Sequence, residues 1–119
     1  MKIGELSRRS GLSIDTIRWY ERIGLLPPAY RSPNRQREFD ENILTWIAFL
    51  GRLKTTRMPI RDMLTYARLR ETGDGTLAAR RQLLEAHRTQ VQARLAELQS
   101  CLATLDAKID FYAAQETAP

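Results

Sequence analysis

Ser13-Ile14-Asp15-Thr16-Ile17-Arg18-Trp19-Tyr20-Glu21-Arg22-Ile23-Gly24-Leu25-Leu26-Pro27-Pro28 decides the fold of this 119-residue chain. Ser13 carries a hydroxyl that can accept from the free N–H groups of a first helical turn, so it reads as an N-cap. From Ile14 to Ile23 the apolar side chains recur at helical spacing, with Ile14, Ile17 and Tyr20 turned inward. Asp15, Thr16, Arg18, Trp19 and Arg22 are left on the outer face. Gly24 ends the helix, and two prolines forbid its continuation.

Upstream, Ile3 to Ser10 reads as another helix, with Ile3, Leu6 and Ser7 on one face. Gly11 sits where a helix end favours positive φ, and Leu12 follows as a buried turn residue. Two short helices joined by a glycine-containing turn form a helix-turn-helix. Downstream, Ala29-Tyr30-Arg31 and Arg37-Glu38-Phe39 can pair around Ser32-Pro33-Asn34-Arg35-Gln36. Pro33 has a preset φ and Asn34 tolerates the left-handed region. A basic hairpin in this place is a wing, with Tyr30 as its packing residue.

Asp40 is placed to cap a third helix, whose stripe is Ile43, Trp46, Ile47, Leu50 and Leu53. Pro59 can occupy the first turn of a fourth helix, with Ile60, Met63, Leu64 and Ala67 inward. Gly73-Asp74-Gly75 breaks the pattern. From Leu77 to about Ala113 there is neither Gly nor Pro. Leu77, Leu84, Val91, Leu98, Leu105 and Tyr112 recur every seven residues, and Leu95, Leu102 and Ile109 form the offset series. That is a heptad seam, with the second series at a and the first at d. Arg81 and Arg88 take the earlier a positions, so the seam is weaker at its start. Such a helix would run about 55 Å at ~1.5 Å per residue. It has too little of the chain to pack on, which predicts pairing with a second copy through Leu84, Val91, Leu95, Leu98, Leu102, Leu105, Ile109 and Tyr112. The expected division is 1–75 for the winged unit and its connector helices, 76–113 for dimerisation, and 114–119 as a tail.

Charge follows the same division. Residues 1–70 hold 14 Lys and Arg against 7 Asp and Glu, whereas residues 71–119 hold 5 against 7. A basic unit attached to a mildly acidic one suggests a polyanion-binding module. With 43% hydrophobic and 28% charged residues, the chain should be folded. No apolar run reaches the ~20 residues of a membrane span, and the start lacks a secretory apolar region. A cytoplasmic protein with no membrane partner is expected. Cys101 is the only cysteine and His87 the only histidine. Neither a nucleophile–base pair nor a glycine-rich phosphate loop is present, so an enzyme is not expected, nor a cofactor or metal.

The run Thr16-Ile17-Arg18-Trp19-Tyr20-Glu21-Arg22-Ile23-Gly24-Leu25-Leu26-Pro27-Pro28 resembles the signature of MerR-family transcription regulators. Ile3-Gly4-Glu5-Leu6-Ser7 precedes it and Arg31-Ser32-Pro33-Asn34-Arg35-Gln36-Arg37-Glu38-Phe39 follows it, as in that family. The resemblance is close over residues 1 to about 70, and beyond that by pattern only. It implies a mainly α fold: a winged helix-turn-helix, a two-helix connector and an antiparallel coiled coil in a homodimer. It also implies binding and distortion of pseudo-palindromic promoter DNA, with RNA polymerase as a further partner. On that resemblance Arg18 is the base-edge candidate, and Thr16, Trp19 and Tyr20 position the backbone, Tyr20 having a core role as its alternative. Arg31, Arg35 and Arg37 of the wing meet phosphates or the minor groove.

Departures narrow the signal. The family wing commonly reads Asn-Gly-Tyr-Arg, and here Arg35 and Gln36 replace Gly and Tyr. Metal-responsive members carry cysteines where this chain has Thr76-Leu77 and Ala113-Ala114-Gln115. Drug-binding members carry a further domain where only Gln115 to Pro119 stand here. The small branch that answers aldehydes or nitrosative stress uses a third-helix cysteine, and here Arg52 occupies that place. Cys101 and His87 fall at g positions beside the seam. Trp46, Phe49, Met58, Met63, Tyr66 and Phe111 read as core, with a small-ligand site as the alternative. Rival readings are a non-regulatory architectural DNA-binding protein and a coiled-coil adaptor. The adaptor leaves the winged motif and the basic first half unexplained.

Overall fold

The computed structural model describes residues 1–119, arranged as five α-helices and one two-stranded hairpin. The chain divides into two compact units, Met1–Leu83 and Leu84–Pro119.

In the first unit, α1 spans Ile3–Ser10 and α2 spans Ile14–Ile23. The turn between them forms as its residues dictate. Gly11 adopts φ 79°, and its N–H donates to the Ser7 carbonyl at 3.0 Å. The Ser7 hydroxyl donates to the Leu12 carbonyl at 2.6 Å, and Ser13 caps α2 by accepting the Thr16 N–H at 3.1 Å. Gly24, at φ 86°, closes α2 with a two-bond cap. Its N–H donates to the Glu21 carbonyl and that of Leu25 to the Tyr20 carbonyl. This cap drives Leu25 and Leu26 into the core beside Leu6 and Ile17. Ile14 does not join them. It is the first residue of α2 and stays exposed, while Ile17 takes the inward position one turn later.

β1 (Tyr30–Arg31) and β2 (Arg37–Glu38) pair antiparallel, Tyr30 with Glu38 and Arg31 with Arg37. The Arg35 N–H donates to the Ser32 carbonyl, and the Ser32 N–H to the Gln36 carbonyl, both at 2.8 Å. This is a three-residue hairpin loop, which needs a left-handed residue at its last position. That residue is Arg35, at φ 60°, rather than Asn34. Tyr30 is exposed and does not pack the hairpin, whereas Phe39 is buried.

α3 (Ile43–Thr55) buries all five residues of its expected stripe. Asp40 does not cap it directly. Its carboxylate accepts the Asn42 N–H at 2.9 Å, forming a turn that precedes the helix. α3 ends in the same two-bond cap as α2, but with Arg57 at φ 65° in the glycine position. The Arg57 N–H reaches the Lys54 carbonyl, and the Met58 N–H reaches the Leu53 carbonyl. α4 (Ile60–Thr72) begins just after Pro59 and buries Met63 and Ala67. Ile60 is exposed, whereas Met58, two residues earlier, is buried. Trp46 joins the elements. Its indole N–H donates to the Leu25 carbonyl at 2.8 Å, Tyr66 stacks at 5.8 Å, and the Arg70 guanidinium lies 4.4 Å from the ring centroid.

A 3₁₀ turn, Asp74–Thr76, leads into α5, Leu77–Glu116. The Thr76 hydroxyl donates to the Leu69 carbonyl, and the Arg80 side chain donates to Thr76 and to the Gly73 carbonyl. The start of α5 is thereby tied into the first unit, beyond the expected break at 75. The helix also runs three residues past Ala113. No residue of α5 is buried, and no helix is long and apolar enough to cross a membrane.

Candidate nucleic-acid interface

α2 and the hairpin supply the candidate surface. Arg18 and Arg22 are exposed on α2, and Arg31, Arg35 and Arg37 are exposed on the hairpin. Within α2 the Ser13 cap reaches a functional position, since its hydroxyl also donates to the Thr16 hydroxyl at 2.9 Å. Thr16 is thus half-buried and oriented by the cap. Trp19 is exposed and rests against Tyr20, with ring centroids 5.4 Å apart. Tyr20 itself is only 6% exposed. Its ring belongs to the core and holds Trp19 outward, so its part in any interface is support.

The wing cations are not equivalent. The Arg31 guanidinium donates to the Arg35 carbonyl at 3.0 Å, closing the loop from within the hairpin. Arg35 stands at the loop's tip in the left-handed region. Arg37 pairs its guanidinium with the Glu21 carboxylate of α2, although 49% of its side chain stays exposed. The other oxygen of Glu21 accepts the Ala29 N–H at 2.6 Å. Burial pushes the Glu21 carboxyl upward, but the Arg37 hydrogen bond, the Ala29 hydrogen bond and the Arg37 charge outweigh it. The result lies below the ordinary value of 4.5. Glu21 was absent from the sequence expectations. No local pattern marks it, because Asp15 is a second carboxylate on the same helix and the partner Arg37 lies sixteen residues further along the chain.

The seam residues also have definite surroundings. Leu84 and Val91 are half-buried. Leu95, Leu98, Leu102, Leu105, Ile109 and Tyr112 are 55% to 62% exposed. Cys101 is exposed, and no group of three or more His, Cys, Asp or Glu is placed to hold a metal ion.

The aromatic cluster offers little to a small ligand. Two hollows of about 260 and 200 Å³ share Pro27, Trp46 and Arg70. Both fall below the ~300–1,000 Å³ of usual ligand pockets. Tyr66 stacks on Trp46 and Arg70 lies over its ring, so Trp46 offers little face for another group to stack on.

Comparison with known proteins bears on the same surfaces. Residues 2–39 match the family described as MerR family regulatory protein. The HTH-type transcriptional regulator AdhR of Bacillus subtilis is 33% identical over 91 residues, which is 76% of this chain and 65% of that protein. An uncharacterized HTH-type transcriptional regulator of Haemophilus influenzae is 34% identical, covering 89% of this chain and 78% of its own length. Among solved structures, a Listeria monocytogenes protein described as a MerR family transcriptional regulator superposes with TM-score 0.88 at 40% identity, over 98% of this chain and 92% of that one. HiNmlR, a MerR family regulator lacking the sensor domain and solved bound to promoter DNA, superposes with TM-score 0.83 at 31% identity, over 97% and 91%.

Proposed function

The chain belongs to the MerR family of transcriptional regulators, and we propose that it acts as a homodimer that binds and distorts a pseudo-palindromic promoter. The observation that carries this reading is the exposed face of α2, with Arg18, Trp19 and Arg22 free of the core and a cationic wing on the same unit. The promoter-bound state of HiNmlR supports the choice of duplex DNA as ligand.

In this reading α2 enters the major groove. Arg18 contacts a base edge, because a guanidinium can donate two parallel bonds to guanine. Thr16 and Trp19 set the helix against the backbone, with Tyr20 behind them. Arg31 and Arg35 meet phosphates, which fix register but carry no base information. The a and d residues of α5, from Leu84 to Tyr112, pair two copies antiparallel. Two copies present two α2 helices to half-sites separated by whole turns of about 34–36 Å. Distortion of the intervening duplex supplies specificity at positions the protein never touches, and in this family's manner it serves RNA polymerase.

Fluorescence anisotropy tests the assignment. The duplex from the promoter upstream of the chain's own gene is compared with a scrambled duplex. Arg18→Ala is expected to cost roughly 1–3 kcal/mol on the promoter and to relax its preference over the scrambled duplex. Unchanged affinity and unchanged preference would remove α2 as the reading helix.

A further inference from the structure

Arg37 faces Arg31 directly across the hairpin. Two like charges in that register oppose pairing unless one is neutralised. Glu21 does so from outside the hairpin. Its side chain is only 10% exposed, and its two oxygens hold two separate stretches of chain, Arg37 on β2 and the Ala29 N–H ahead of β1. A carboxylate this far from water is stable as an anion only with such partners. Arg31 and Arg35 have no carboxylate beside them, and Arg31 turns to a carbonyl instead.

We propose that Glu21 and Arg37 form a positioning strut that fixes the wing against the recognition helix, and that Arg37 is not a phosphate ligand. The inference rests on the DNA-binding reading above and refines it. The strut sets the distance between the groove-reading face of α2 and the phosphate-facing cations Arg31 and Arg35. It governs affinity while touching no DNA. The family resemblance assigned Arg37 to phosphates or the minor groove, and in this proposal its carboxylate partner gives it a different role.

The test is a double-mutant cycle in the full chain, with Glu21→Gln, Arg37→Ala and their combination. Each is titrated with the promoter duplex across a salt series. For a strut, both single variants weaken binding by about tenfold and the combination is no worse, as for two residues acting through one contact. Both also move the salt slope in the same direction. For a phosphate ligand, Arg37→Ala lowers the slope by about 0.9, while Glu21→Gln frees the guanidinium, tightens binding and steepens the slope. Opposite slopes, additive losses or an inert Glu21→Gln each overturn the strut.

Amide hydrogen exchange without DNA provides an independent readout. In Arg37→Ala the Ala29 and Ser32 amides should lose protection while the Leu6 amide keeps its own. Unchanged exchange at Ala29 and Ser32 overturns the strut. A wild-type chain that does not prefer promoter to scrambled duplex instead overturns the regulatory reading, and the exchange experiment still decides the strut.

Discussion

The two units treat similar residues in opposite ways. In Met1–Leu83, Leu6, Ile17, Leu25 and Leu26 are almost completely withdrawn from water. In Leu84–Pro119, Leu95, Leu98, Leu102 and Leu105, at equally regular spacing, are more than half exposed. Leucine content does not separate them. The first unit breaks its helices every 8 to 13 residues, so that short apolar stripes fold onto each other. The second repeats its stripe every seven residues along α5, one unbroken helix of 40 residues that begins at Leu77 in the first unit. A seven-residue repeat keeps the apolar seam on one side only of a supercoiled helix, which suits a partner helix. Burying each Leu is worth roughly 1.5–3 kcal/mol, and in the isolated chain that stabilisation is uncollected along the seam.

The sharpest way to break this comparison uses two residues of the same helix with nearly equal exposure. Leu102 lies at an a position and is 57% exposed, and Phe111 lies off the seam at c and is 55% exposed. Leu102→Asp should raise the dimer dissociation constant more than ~100-fold, since losing a buried Leu costs about 2–5 kcal/mol and each dimer loses two. Phe111→Asp should leave it within about twofold, as expected of a substitution outside the packed seam. Sedimentation equilibrium over a concentration series measures both. Equal effects would mean that exposure, not register, decides what is covered.

Acid separates the units in a second way. The Glu21 carboxyl is held below its ordinary 4.5 in the folded state. The unfolded chain therefore binds more protons in acid, and stability falls as pH falls. The stabilisation from Glu21 is complete above about pH 4.5 and is lost as pH drops through the folded value. Between Leu77 and Tyr112 the a and d positions hold no carboxylate. Thermal melts of wild type from pH 6 to pH 3 should fall more steeply than those of Glu21→Gln. Parallel curves would show that the Glu21 pair contributes nothing to the first unit.

Local signals carried most of the fold. Gly11, Gly24 and the Ser13 hydroxyl act within a few residues of themselves, so each was legible in the sequence and each acts as read. The heptad was legible for the opposite reason, because its repetition leaves no other period. Long-range and strained features were hidden. The Glu21–Arg37 pair joins residues sixteen apart, and only the folded hairpin brings them together. Arg35 and Arg57 occupy left-handed positions that a sequence reader reserves for glycine or asparagine. Ile14 and Ile60 obey helical spacing yet stay exposed, because spacing defines a helix face but not whether another element covers its first turn; Ile43, also first in its helix, is buried.

Arg35 permits the finest test, since its backbone and its side chain pull in opposite directions. At φ 60° it bears the steric cost of a left-handed residue, roughly 1–2 kcal/mol. Glycine would relieve that cost but restore about 0.5–1 kcal/mol of unfolded-chain entropy. Arg35→Gly should therefore stabilise the first unit by up to about 1 kcal/mol, visible as a higher melting temperature. The carbonyl that accepts from Arg31 is kept, so the loop should still close. The same change removes the cation at the wing tip. If Arg35 contacts a phosphate, the variant should bind the promoter duplex more weakly, with a salt slope lower by about 0.9. A more stable protein that binds DNA less well would mean that this wing gives up backbone comfort for charge. A more stable protein with unchanged binding would leave Arg31 as the wing's phosphate contact.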